Sequence, residues 1–152
     1  MKLSVASCLL LFLSLLPTAR GAEAIGSATL DAYYKMSEAL AADSLTGVAE
    51  NAMGFASAVK DPALHQGALN VAAATQVSLA KTREMFMFLS SVLSNGIKFH
   101  DYKVAEGATY RIYCPMKNAD WLQAAKTPIH NPYHGSEMLE CGEVMATYEA
   151  KP

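Results

Sequence analysis

The stretch DPALHQGALNVAAATQVSLAKTREMFMFLSSVLSNG, residues 61–96, decides the reading of the fold. It opens with Asp61-Pro62, a helix N-cap followed by proline at the first helical position, where the missing N–H is no loss. Leu64, Ala68, Val71, Thr75 and Leu79 then recur on one helical stripe. A further stripe begins near Thr82 and continues through Met85, Phe88, Leu89, Val92 and Leu93, with Asn95-Gly96 as its expected end. Toward the N-terminus, Leu30, Tyr33, Tyr34, Met36 and Leu40 form one helical stripe. Leu45, Val48, Met53, Phe55 and Val59 form another, with Asp43 or Ser44 as its expected cap. Connections this short favour antiparallel neighbours, so the expectation is a mainly α fold, an up-and-down four-helix bundle.

After His100 glycine and proline become frequent. Residues 108–113 and 144–148 mix threonine, tyrosine and branched side chains, which predicts a short two-stranded β-ribbon within an otherwise irregular C-terminal tail. Asn131-Pro132 and Gly135 read as a turn between the two strands. Trp121-Leu122 reads as the anchor that docks this tail on the helices, since tryptophan buries a large apolar area.

The chain has 152 residues and a formal charge of −2. Lys2, the apolar run over residues 3–16, Pro17 and the small residues around Ala22 and Ala24 read as a secretory signal peptide, residues 1–24. The run is too short to span a bilayer comfortably, which takes about 20 apolar residues, so no membrane insertion is expected after cleavage. Residues 25–152 then form a single domain, periplasmic or secreted, with ten basic against thirteen acidic side chains. No basic cluster is present to hold a phosphate backbone, which argues against nucleic acid as a partner. Residues 25–152 carry no haem-attachment, phosphate-loop or Ser/His/Asp signature, and no enzymatic activity is expected.

Cys8 falls in the signal segment, so Cys114 and Cys141 are the two cysteines of the mature chain. Each has a methionine nearby. Met116 lies two positions after Cys114, on one face of an extended backbone, and Met138 lies three positions before Cys141, on one side of a helical turn. Two thiols and two thioethers suit a soft monovalent ion, copper(I) or silver(I). Two other chemistries fit the cysteines. Export favours a Cys114–Cys141 disulfide closing a loop of about 28 residues, worth about 3–4 kcal/mol in the chain-entropy model. A thiol nucleophile with His130 or His134 as base lacks a third, orienting group. Zinc with a histidine remains a further option, though the cysteines do not have the close spacing of zinc fingers.

The motifs Tyr113-Cys114-Pro115-Met116, Trp121-Leu122, Ile129-His130-Asn131-Pro132-Tyr133-His134-Gly135, Met138-Leu139 and Cys141-Gly142-Glu143-Val144 resemble an exported bacterial domain of unknown function. That domain occurs alone and fused to periplasmic adaptor subunits of copper, silver and other heavy-metal efflux pumps. Tyr33 with Ala39-Leu40-Ala41-Ala42-Asp43-Ser44 resembles its first helix pair, and Arg83, Phe86 and Ser90 its fourth helix. The resemblance implies a sulfur site of Cys114, Met116, Met138 and Cys141 in a tail of about residues 108–148. His134 is an optional fifth participant, standing where the family often carries an aromatic residue. It also implies an efflux adaptor or another envelope protein as partner. With it, metal binding leads and a disulfide-stapled helical interaction module of the envelope follows.

Overall fold

The computed structural model describes residues 24–100, 102–104 and 107–150. Of the expected signal peptide only Ala24 falls within them. Four helices follow in order, α1 (Ser27–Ala41), α2 (Val48–Ala58), α3 (Pro62–Ala74) and α4 (Leu79–Phe99). Strand β1 (Ala24–Ile25) precedes them; β2 (Lys103–Val104), β3 (Ala108–Cys114), β4 (Ala119–Ala124) and β5 (Glu143–Glu149) follow. Strands β1 and β2 pair in parallel, and β4-β3-β5 form an antiparallel sheet in that order.

The expectation of a mainly α bundle with a two-stranded ribbon is therefore corrected. Helices take 51% and strands 19% of the described residues, a mixed α/β fold with a three-stranded tail sheet. The strand missed in this sheet is β4, which carries Trp121 and Leu122. Both are fully buried, so the alternation that marks a half-buried strand is absent. The helices pack in sequence, α1 on α2, α2 on α3 and α3 on α4, with a smaller contact of α1 on α4, and β4 packs against α4 and α1.

Local chemistry sets the helix limits. Asp61 caps α3, its carboxylate accepting from the Ala63 and Leu64 amides at 2.8 and 3.2 Å. Ser78 caps α4 by accepting from the Lys81 amide, so this helix starts earlier than its apolar stripe. It also runs past Asn95-Gly96 to Phe99. A Cβ at Gly96 would lie 2.1 Å from the Tyr102 ring, so glycine serves there for close approach and not as a stop. Neither Asp43 nor Ser44 caps α2, whose N-cap is Gly47. Instead Asp43 takes the left-handed position that ends α1 (φ 55°), with Asp43 N–H donating to Leu40 and Ser44 N–H to Ala39.

The junction of α1, α4 and β4 is Tyr33. Its ring stacks on Phe86 with centroids 5.0 Å apart, and its hydroxyl bonds Ser90 Oγ at 2.6 Å while accepting from the Leu122 amide at 3.2 Å. Burial raises the Tyr33 pKa, so the phenol stays neutral and can serve both partners. The sheet is thereby fixed to the helices through backbone as well as side chains.

Candidate functional site

Cys114 ends β3, two residues after Ile112, and both side chains are fully buried. Cys141 arrives from the loop before β5. Asn131 holds that loop: its N–H donates to Leu139 O at 2.7 Å and its Nδ2 to Cys141 O at 2.6 Å. Its Oδ1 accepts from the Tyr133 and His134 amides at 2.8 and 3.2 Å. A fully buried asparagine thus has every polar group engaged, as burial demands. Gly142 completes the approach. A Cβ there would lie 2.6 Å from Trp121 and 2.8 Å from Ile112, so only glycine lets the backbone sit directly on this part of the core.

The result is two free thiols with Sγ atoms 3.7 Å apart. Burial, then the hydrogen bond and charge of Cys114, push the Cys141 pKa up, and the Met116 amide offsets part of this. Met116 and Met138 lie on turns flanking the pair, 65% and 36% exposed. Their backbones touch it: the Cys141 amide donates to Met138 O at 3.1 Å. The thioethers are left open to solvent and not packed as core.

His134 has a different setting. It lines a 360 Å³ cavity with Arg83, Lys117 and Glu137, which neither cysteine lines, and its Nε2 is buried without a hydrogen-bond partner. His130 is exposed, its amide donating to Gln123. Among the described residues no three His, Cys, Asp or Glu side chains gather at metal-binding range.

Several residues singled out by the family resemblance prove to be the frame around the site. Arg83 Nε donates to Pro132 O at 3.0 Å, and its Nη2 to Leu40 O and Asp43 Oδ1, both at 2.6 Å. Asp43 Oδ2 accepts from the Ser136 amide at 3.0 Å and from its hydroxyl. These bonds, those from Ser136 first and Arg83 next, hold the Asp43 carboxyl down at about 2. Gly135, with φ 61°, fits beneath this cluster, where a Cβ would lie 2.1 Å from the Asp43 carboxylate. Tyr133 packs edge-on against Trp121 at 5.8 Å and donates to Asp120 O. The sequence signal for this frame was the Asn-Pro pair, whose asparagine forms an Asx turn. The roles of Asp43, Arg83 and Gly142 were not read from the residues.

Comparison with known proteins returns no matching family model, no matching curated protein and no matching solved structure.

Proposed function

We propose that the chain is an exported copper(I)-binding protein, with Cys114 and Cys141 as the principal ligands and Met116 and Met138 as supporting ones. The observation that carries this reading is the pair of free thiols 3.7 Å apart. Two sulfurs bound to one metal at about 2.3 Å each lie no more than about 4.6 Å apart, so the observed separation fits the group. Thiolate and thioether sulfur are the donors a soft monovalent ion selects, which makes silver(I) the chemical alternative and zinc the poorer fit. The task is ligation without turnover, for buffering or for delivery to an efflux adaptor. The export signal and the resemblance of the tail motifs support that setting.

Cys141, with its raised pKa, must lose its proton to ligate, so affinity rises with pH and binding releases protons. The test is a copper(I) competition titration on reduced protein beside Cys114→Ser. One ion per chain, lost or severely weakened in the variant, supports the reading; equal binding by both, or by neither, removes it. The same 3.7 Å separation favours one second reading, a disulfide-stapled interaction module. Thiol labelling of protein from its native compartment, with and without reductant, separates the two.

A further inference from the structure

Cys114 and Cys141 meet solvent unequally. Cys114 is fully buried and belongs to the hydrophobic core, whereas Cys141 is partly exposed and only packs against that core. Tyr113 pairs with Glu143, which carries Gly142 and Cys141 alongside the end of β3. The residues nearest the pair in sequence leave its outer side uncovered, since Met116, Met138, Glu140 and Glu143 are all exposed. A reagent from solution therefore has access to Cys141 and is shielded from Cys114.

The separation of 3.7 Å is contact distance for two sulfurs, and a disulfide of about 2.0 Å requires an approach of only about 1.7 Å. A thiol already in contact with a mixed disulfide displaces its leaving group within the molecule, where effective concentration favours it over any thiol in solution. A bridge with one sulfur toward solvent is also one that a thiol can reopen, because exposed disulfides are the labile class.

We propose that Cys114 and Cys141 form a reversible thiol–disulfide exchange site, in which Cys141 takes a mixed disulfide from a small-molecule disulfide and Cys114 resolves it. The Cys141 thiolate attacks one sulfur of R–S–S–R. The Cys141–S–R bond forms, the S–S bond breaks, and the first thiol leaves as R–SH after taking a proton from solvent. The Cys114 thiolate then attacks Cys141 Sγ, closing the Cys114–Cys141 bond and releasing the second R–SH. Two electrons pass from the protein to the incoming disulfide, and the two cysteine protons reach the leaving thiols through solvent. Excess R–SH reverses the sequence by attacking Cys141 Sγ and freeing Cys114. The chemistry is stoichiometric, one bond per chain. The oxidised pair has no thiolate left for copper(I), so exchange also controls metal loading. That consequence rests on the copper(I) reading, while the exchange itself does not.

The test treats the full chain, reduced and metal-free, with glutathione disulfide, followed by acid quenching and peptide mass mapping that counts adducts at Cys8 apart. Wild type should release two glutathiones for each Cys114–Cys141 bond, with a Cys141 adduct as the transient. Cys114→Ser should accumulate that adduct. Cys141→Ser should react at Cys114 at least about tenfold more slowly, because a fully buried thiol is shielded from the reagent. Substoichiometric N-ethylmaleimide gives the same comparison on the wild type, without a variant, and should label Cys141 at least about tenfold ahead of Cys114. Equal labelling of the two would overturn the proposal, as would a wild-type adduct that persists unresolved or no reaction at either residue. The disulfide form should bind copper(I) at least about tenfold more weakly than the reduced form, and equal binding by both would overturn the control of loading. A reduced form that exchanges as described but binds no copper(I) would remove the metal reading and leave the exchange standing.

Discussion

Alanine at Gly142 isolates the contact that seats Cys141. The backbone there is not left-handed, so the substitution adds a methyl group and no dihedral strain. That methyl would stand 2.6 Å from Trp121 and 2.8 Å from Ile112, about 1 Å inside ordinary contact. Neither neighbour yields easily, since both are fully buried and Trp121 is held edge-on by Tyr133. Overpacking of this kind costs about 1–3 kcal/mol, and here the upper end applies. The stiffer unfolded chain returns about 0.4–1 kcal/mol. The net loss is about 2 kcal/mol, or about 7 °C in Tm for a domain of this size. Lifting the backbone also draws Cys141 from Cys114, so the equilibrium constant for their disulfide against glutathione should fall by about tenfold. Gly54 supplies the control. It has open space around its Cβ position within α2, and alanine there should stabilise by about 0.5–1 kcal/mol. Urea titration and a glutathione redox titration of the variants measure both effects. A Gly142→Ala protein with unchanged stability and an unchanged disulfide equilibrium would refute the argument.

Asn131→Ala removes three side-chain hydrogen bonds from a buried site and should cost about 3 kcal/mol by urea titration. Tyr33→Phe strands the Leu122 amide and removes the partner of Ser90. About 2–3 kcal/mol should be lost, with Trp121 fluorescence following the same transition as the helical signal. The Asp43 carboxyl, held at about 2 against an ordinary 3.8, contributes stability that is fully present above about pH 4. That contribution disappears as pH falls through 2. Asp43→Asn should therefore be less stable than the wild type at neutral pH and show a flatter acid limb in circular dichroism.

The helices were legible from apolar positions recurring at helical spacing, although Met53 and Phe88 of the expected stripes are exposed and only α3 starts at the cap read from the sequence. Leu64, Ala68 and Val71 all reach the core, and Asp61-Pro62 begins α3 where the pair predicts. Strand β4 was not legible, because Trp121 and Leu122 are covered both by the helices and by the segment carrying Tyr133 and Gly142, which erases its period of two. The β1–β2 pair is two residues long on each side, too short for any pattern. Within the site, the cysteines drew notice by residue type. Their approach depends on Asn131 and Gly142, whose importance lies in contacts with residues distant in the chain. Asp43 resembled a helix cap by composition, and only its partners Arg83 and Ser136 reveal a clamp between the helices and the tail.

The two thiols are anchored unequally. Cys114 ends the central strand of the sheet, opposite Ala119 of β4, and the residues before it in that strand pair with β5 as well. Cys141 belongs to a connecting segment whose attachment rests largely on Asn131 and on the fit of Gly142 against Trp121. Local opening of that segment demands far less than melting the sheet, and it carries one sulfur away while the other stays in place. The pair therefore has one fixed member and one releasable member, and local opening would part the sulfurs from the Cys141 side.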